Sequence, residues 1–416
     1  MPATGLRTNR LTAIDVFRGF VMFLMAAELM KLAHVARQFP DSSFWQIVGR
    51  HTSHVAWTGC SLHDLIQPGF SFLVGVALPF SIASRLAKGQ NPGRLWLHAL
   101  WRSVLLVLLG VFLRSIGSPM THWTFTDTLS QIGLGYPFLF LLGLAGTGTR
   151  WAALAVVLIG YWMAFVLFPQ PPADFNYTAA NVAADWPHHF EGFTAHWNIN
   201  SNAAWAFDMW FLNLFPRDVA FTGSRGGYVT LSFIPTLGTM ILGLIAGAWL
   251  KLAADGSSPS PNPSGVNAGH KEQNTPAMAA TLRLTYAGFI CLALGWALHT
   301  TGLCPVVKRI WTPAWTLFSG GWCFLILAGF YFVTEVQGWR RWAFPLIVIG
   351  MNSIAMYVLV HTVTDFLRGT LHTHLGRDVF KVLGDSFVPV LEGGAVLLIL
   401  WLILFWMHRR RLYLRI

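Results

Sequence analysis

From Leu11 onward the chain alternates long apolar runs with short polar breaks, and ten of the runs are roughly 18 to 25 residues long. They lie near residues 11–33, 62–86, 95–116, 128–146, 151–168, 228–250, 283–301, 314–334, 342–364 and 390–407. A helix of that length crosses a hydrocarbon core of about 30 Å. The runs are apolar on every side rather than alternating as barrel strands do, so within lipid their backbone groups must be satisfied inside helices. The pattern predicts an all-α, polytopic transmembrane bundle of about ten spans.

Composition agrees, since 54% of the 416 residues are hydrophobic and only 11% are charged, which excludes a chain built of soluble domains. The net charge of +11 changes little. Basic residues stand at span ends instead of forming one patch among stacking aromatics, so no nucleic-acid partner is expected. With the N-terminus in the cytoplasm, the inner side collects Arg7, Arg10, Arg85, Lys88, Arg94, Arg150, Lys251, Lys271, Arg283, Arg340, Arg341, Arg409, Arg410, Arg411 and Arg415. That is the positive-inside bias, and an even number of spans returns the C-terminus to the cytoplasm. No removable signal peptide is evident, because the first apolar run is long and leads into polar residues with candidate chemistry. Cys60, Cys291, Cys304 and Cys323 form no C-x-x-C pair and no zinc spacing, and read as small packing residues.

Two polar stretches divide the chain. Residues 255–277, rich in Pro, Ser, Gly and Asn, read as a disordered cytoplasmic linker between a six-span part, 1–254, and a four-span part, 278–416. No internal repeat is visible, which counts against an inverted-repeat transporter. Residues 169–227 fall outside and are full of aromatics and amides, the mark of an ordered loop that covers a site.

Three constellations carry candidate chemistry. Asp15 and Arg18 share a helical face, where they either lock helix ends or let the guanidinium hold an anion arriving from the cytoplasm. Glu28 lies roughly 20 Å further along the same helix, near the outer face; it is either an interfacial side chain or faces a watery cavity. His51, His54, His63 and Asp64 gather at the outer mouth of the second run. Asp64 in a first helical turn favours the helix dipole on its own account, yet an imidazole beside a carboxylate also has one tautomer fixed and its other nitrogen free to take a proton. A zinc site is not expected, because the spacing matches no metal pattern. Asn352, Ser353 and Tyr357 interrupt the ninth run as interhelical glue or as site residues, and His361 ends that run near the outer face.

The blocks RLTAIDVFRG, HVAWTGCSLHDLIQPGFSFLVGVAL, VTLSFIPTLGTMILGLIAGAWL, PVVKRIWTPAWTLFSGG and FPLIVIGMNSIAMYVLVH, in that order, resemble the heparan-α-glucosaminide N-acetyltransferase family and its NagX-like bacterial relatives. The likeness covers most of the chain from residue 10 to about 365. It implies an acetyl-CoA-dependent membrane acetyltransferase that passes an acetyl group from the cytoplasm to a terminal glucosamine amine on the other side. An H-x-x-W-x-G…D-L block places the family's active histidine at His54, with Trp57, Gly59 and Asp64 at the matching positions. Asp15 and Arg18 match a D-x-x-R-G block, and Asn352 and Ser353 a G-M-N-S block. Two departures bear on the acceptor: Leu129-Ser130-Gln131-Ile132-Gly133 lacks an arginine usual in the family, and no counterpart is expected of the large luminal segment that precedes the first core span of the family's lysosomal member.

The resemblance and the residues together lead to a mechanism. His54 acts as general base oriented by Asp64, or as a transient acetyl carrier. Asn352, with Ser353, donates to the developing thioester oxyanion. Asp15, Arg18, Arg102 and Ser353 belong to the acetyl-CoA side; Trp57, Glu28, His361 and the loop residues Asn198, Asn200, Asn202 and Asp208 to the acceptor side. Expected partners are acetyl-CoA, an amino sugar or other glycan, the lipid bilayer and, left open, a second copy of the chain; the expected location is a bacterial inner (plasma) membrane. Two rivals remain: an acyltransferase for another cell-envelope sugar, and a proton-coupled transporter or flippase using Glu28, His54 and Asp64.

Overall fold

In the computed structural model, which describes residues 11–256 and 270–414, each of the ten apolar runs is helical. Among the described residues no strand forms; an isolated bridge joins Thr58 to Val307. The chain is a helical membrane protein. Among the described residues, seven helices are long and apolar enough to cross a bilayer unaided, and up to eight if a pair bent by 67° counts as one span.

The first helix, α1 (Thr12–Ala26), tightens into a 3-10 turn over Ala27–Met30 and is stopped by Lys31, whose φ of 48° is left-handed. Two short helices, α2 (Leu32–Ala36) and α3 (Ser43–His51), lead into the loop that carries His54. Then come α4 (Ile66–Leu86), α5 (Pro92–Ser115), α6 (Thr128–Leu144) and α7 (Thr147–Val166). Asn91 and Asp127 cap the starts of α5 and α6 by accepting from backbone N–H groups of the first turn. The long segment after α7 contributes α8 (Ala203–Phe211), and α9 (Phe233–Gly256) returns through the middle of the bundle, mostly buried. Next come α10 (His270–Thr300), α11 (Pro313–Tyr331), the bent pair α12 (Phe344–Met351) and α13 (Ser353–Thr362), then α14 (Thr364–Leu375) and α15 (Val388–Arg409). Helical structure reaches Gly256 and resumes at His270, so both edges of the expected linker are helical, and its residues 257–269 lie outside the described residues. The four cysteines are unpaired.

Small residues let these helices touch, which is how membrane bundles gain packing without a hydrophobic drive between spans. A Cβ on Gly243 would collide with the Phe72 carbonyl, and one on Gly247 with the Val76 carbonyl. The Gly243–Gly247 pair therefore brings α9 directly onto α4, the helix that begins just after Asp64. Replacing Gly243 by leucine should force the two apart and cost about 1 to 3 kcal/mol, as overpacking does; a lowered midpoint of thermal unfolding in detergent is the expected readout, and an unchanged one would show that the contact is looser than described.

Residues 169–227 form a folded cap, not a slack loop. Trp197, Ile199 and Ala204 from it pack with Trp57, Cys304, Val306, Trp311 and Trp315 in one buried cluster.

Candidate active site

Because α1 and α4 run antiparallel, they set two groups at opposite ends of the bundle. Glu28 and His63 meet at one end, with a carboxylate oxygen 2.6 Å from His63 Nε2. Arg18 and Arg85 line a common cavity at the other. Twenty-one residues of helix between Asp64 and Arg85 separate those ends by about 30 Å.

The His54 end is built by the loop between α3 and α4. Gly59, at φ +113°, lets this loop turn and donate its N–H to the Val306 carbonyl at 3.0 Å, beside the Thr58–Val307 bridge. The loop is thereby tied to the α10–α11 connection. That tie brings Lys308 under His54. Asp64, fully buried, accepts from Val55 N at 3.3 Å, Ser61 N at 3.1 Å and the Ser61 hydroxyl at 2.9 Å on one oxygen. Its other oxygen accepts from Lys308 Nζ at 3.0 Å and lies 2.8 Å from His54 Nδ1. An ionised carboxylate only accepts, so Nδ1 carries the proton and Nε2 keeps its lone pair. The His54 side chain is 40% exposed, whereas Lys308 is 5% exposed. Burial, and then the Lys308 ammonium 3.1 Å from Nδ1, hold the His54 imidazole below its ordinary pKa near 6.5, against the opposing pull of Asp64. The result is a neutral base with a fixed tautomer, an open nitrogen and a compensated anion behind it.

His63 packs beside His54, with ring centroids 4.5 Å apart. One nitrogen from each ring and a Glu28 oxygen lie within 4.8 Å of one another, a set able to offer donors to a metal. Two ligands of one tetrahedral zinc stand about 3.3 Å apart; at 2.6 Å, Glu28 and His63 as placed are hydrogen-bonded instead. His51 accepts from Leu62 N and helps hold the loop.

At the opposite end a cavity of about 390 Å³ is lined by Arg18, Arg85, Arg102, Ser353 and Tyr357 among apolar side chains that include Met22 and Phe70. Arg102 donates to the Tyr136 hydroxyl at 3.2 Å, while its buried Nε–H has no partner. Arg18 donates to Asp15 and to the Gly350 carbonyl, both at 3.3 Å, so Asp15 positions the guanidinium instead of lining the cavity. A second space of about 960 Å³, lined by Arg85, Lys88, Arg94 and His98, shares Ser81 and Arg85 with the first. Together they form a basic vestibule leading into an apolar shaft.

Several expected site residues take other positions. Asn352 is fully buried at the arginine end, where it donates to the Leu412 carbonyl at 3.0 Å and accepts from Leu414 N at 3.2 Å. With its amide so engaged, far along the bundle from His54, it is no oxyanion donor there. Asn198 binds the Phe190 backbone at 2.6 and 3.0 Å, Asn200 donates to the Ala180 and Ser224 carbonyls, and Asn202 caps α8. Asp208 accepts from Thr230 N at 2.9 Å, and burial pushes its carboxyl up to about 6. All four are buried residues that fold the cap, in place of the sugar contacts expected of them. Trp57 is buried beneath Trp186 as part of the same packing. His361 stacks on Tyr357 and bonds its own helix at the Tyr357 carbonyl, and so does not join the His54 group.

Lys308 is the residue the sequence did not single out, although it stands inside the quoted block PVVKRIWTPAWTLFSGG. Arg85, Lys88 and Arg94 were legible as inner-face cations, but not as parts of one vestibule.

No family model matches the chain. Among curated proteins it is similar to the human heparan-alpha-glucosaminide N-acetyltransferase, at 23% identity over 390 residues, covering 84% of this chain and 52% of that protein. The mouse protein of the same name matches at 23% over 394 residues, covering 84% of this chain and 53% of the relative. The chain thus spans about half the length of the curated relatives it matches. The chain is similar, at a distant level, to the heparan-alpha-glucosaminide N-acetyltransferases.

Proposed function

We propose that the protein is a ten-span bacterial inner-membrane acetyltransferase with both termini in the cytoplasm, carrying an acetyl group from cytoplasmic acetyl-CoA to an amino-sugar acceptor outside. The observation that carries this reading is the pairing of an oriented, neutral His54 at one end of the bundle with a basic vestibule and shaft at the other. Arg85, Lys88 and Arg94 suit the phosphates of the nucleotide head. The shaft, within the volume range of small-molecule sites, suits the pantetheine arm. Arg102 lines the same cavity and adds a further positive charge to it.

In the reaction the acceptor amine attacks the thioester carbon, the C–N bond forms as the C–S bond breaks, and His54 Nε2 takes the amine proton. Asp64 keeps the imidazole in register and stabilises its charged form, while Lys308 compensates Asp64. The proton then passes to the departing CoA thiolate.

Calorimetric titration of the purified protein with acetyl-CoA tests this reading. Binding is expected, and replacing Arg85 by alanine should weaken it about tenfold or more, the worth of a hydrogen bond to a charged group. A wild-type protein that binds no acetyl-CoA would end the acyltransferase reading and favour a transporter.

A further inference from the structure

Lys308 and Asp64 neutralise one another behind His54, and Glu28 is an exposed charge in front of the pair, one of its oxygens within 4.8 Å of a nitrogen of the His54 ring. The Glu28 side chain is 54% exposed, yet it is not loosely held. His63, only 9% exposed, bonds it at 2.6 Å, and the 3-10 turn that carries it is fixed by Lys31 in the left-handed region. Gly393 of α15 packs directly on that turn, since a Cβ there would collide with the Leu29 carbonyl. The amide nitrogens of Asn198, Asn200 and Asn202 in the cap, meanwhile, donate to its own backbone.

We propose that Glu28, held by His63, is the subsite that binds the acceptor's ammonium group, so that the enzyme selects amines over hydroxyls by charge more than by the sugar's hydroxyl pattern. This rests on the acetyltransferase reading and names the acceptor class of the same site. An aliphatic amine arrives largely protonated. A carboxylate beside a neutral imidazole holds that cation while His54 Nε2 takes one proton from it and releases that proton to solvent; the free amine then attacks the thioester carbon, the C–N bond forms as the C–S bond breaks, and His54 takes a second proton from nitrogen and passes it to the departing CoA thiolate. A hydroxyl acceptor brings no charge for Glu28 to hold.

The test is calorimetric binding of methyl 2-amino-2-deoxyglucoside and of methyl glucoside to the CoA-loaded protein, where no acetyl group is present to transfer. The wild type should prefer the amine. Glu28→Gln should weaken amine binding about tenfold and leave the hydroxyl compound's weak binding as it was, and Glu28→Asp, which keeps the charge, should recover part of the loss. The wild-type affinity should also fall with added salt, and that of Glu28→Gln should not. Equal binding of the two glycosides by wild type, or an amine affinity indifferent to both Glu28 variants, overturns the inference. Titration with CoA alone reports separately: failure there removes the acetyl-CoA reading, whereas charge-dependent amine binding would still support the Glu28 subsite.

Discussion

Alanine at position 54 should lower kcat/KM for acetyl transfer about 10²- to 10⁴-fold, the range that a positioned general base contributes. Acetyl-CoA affinity should change little, because the basic vestibule lies at the other end of the bundle from His54. Steady-state kinetics of the alanine variant, beside a titration with acetyl-CoA, separates the two effects. Full turnover by the variant would remove His54 from the chemistry. Quenching wild type with radiolabelled acetyl-CoA in the absence of acceptor then distinguishes the two roles open to the imidazole: label retained on the protein marks an acetyl carrier, and its absence marks a base.

The second large effect is expected at Lys308. Replacing it by methionine leaves Asp64 buried without its cation, and breaking a buried ion pair from one side typically costs about 3 to 5 kcal/mol. Activity should fall with stability. The pH profile adds a finer signature. His54 works as the neutral imidazole, so the rate should rise with pH through a midpoint below 6.5, where burial and Lys308 hold its pKa. Without the Lys308 ammonium that midpoint should move upward, because one influence favouring the neutral ring is gone. A double variant, Asp64→Asn with Lys308→Met, should recover thermal stability by removing the orphaned charge, yet remain slow because the amide no longer supports the imidazolium. Recovery of both stability and rate would show that the pair serves the fold alone.

Much of this arrangement was written in the order of residues, and the rest depends on distances that order does not reveal. The apolar runs became helices because lipid leaves the backbone little alternative. His54 and Asp64 were legible as a pair because ten residues of loop and one turn join them. Lys308 lies 244 positions from Asp64, and in sequence it resembles any cation at a helix end. Its burial comes from the bridge between the loop before α4 and the α10–α11 connection. Asn352 misled because a polar residue in a span shows its type but not its partners, and the 67° break beside it turns its amide to the C-terminal residues. The cap asparagines misled for a related reason: amides that bind sugars and amides that close loops are the same groups, and only burial tells them apart.

The most direct test is a density map of the protein with a non-hydrolysable acetyl-CoA analogue. The phosphates should lie among Arg85, Lys88 and Arg94, and the acyl carbon should approach His54 Nε2 closely enough, about 3 to 3.5 Å from the position of an attacking amine, for transfer. An analogue bound elsewhere, or an acyl group sealed from His54 by a closed wall of helices, would contradict the account.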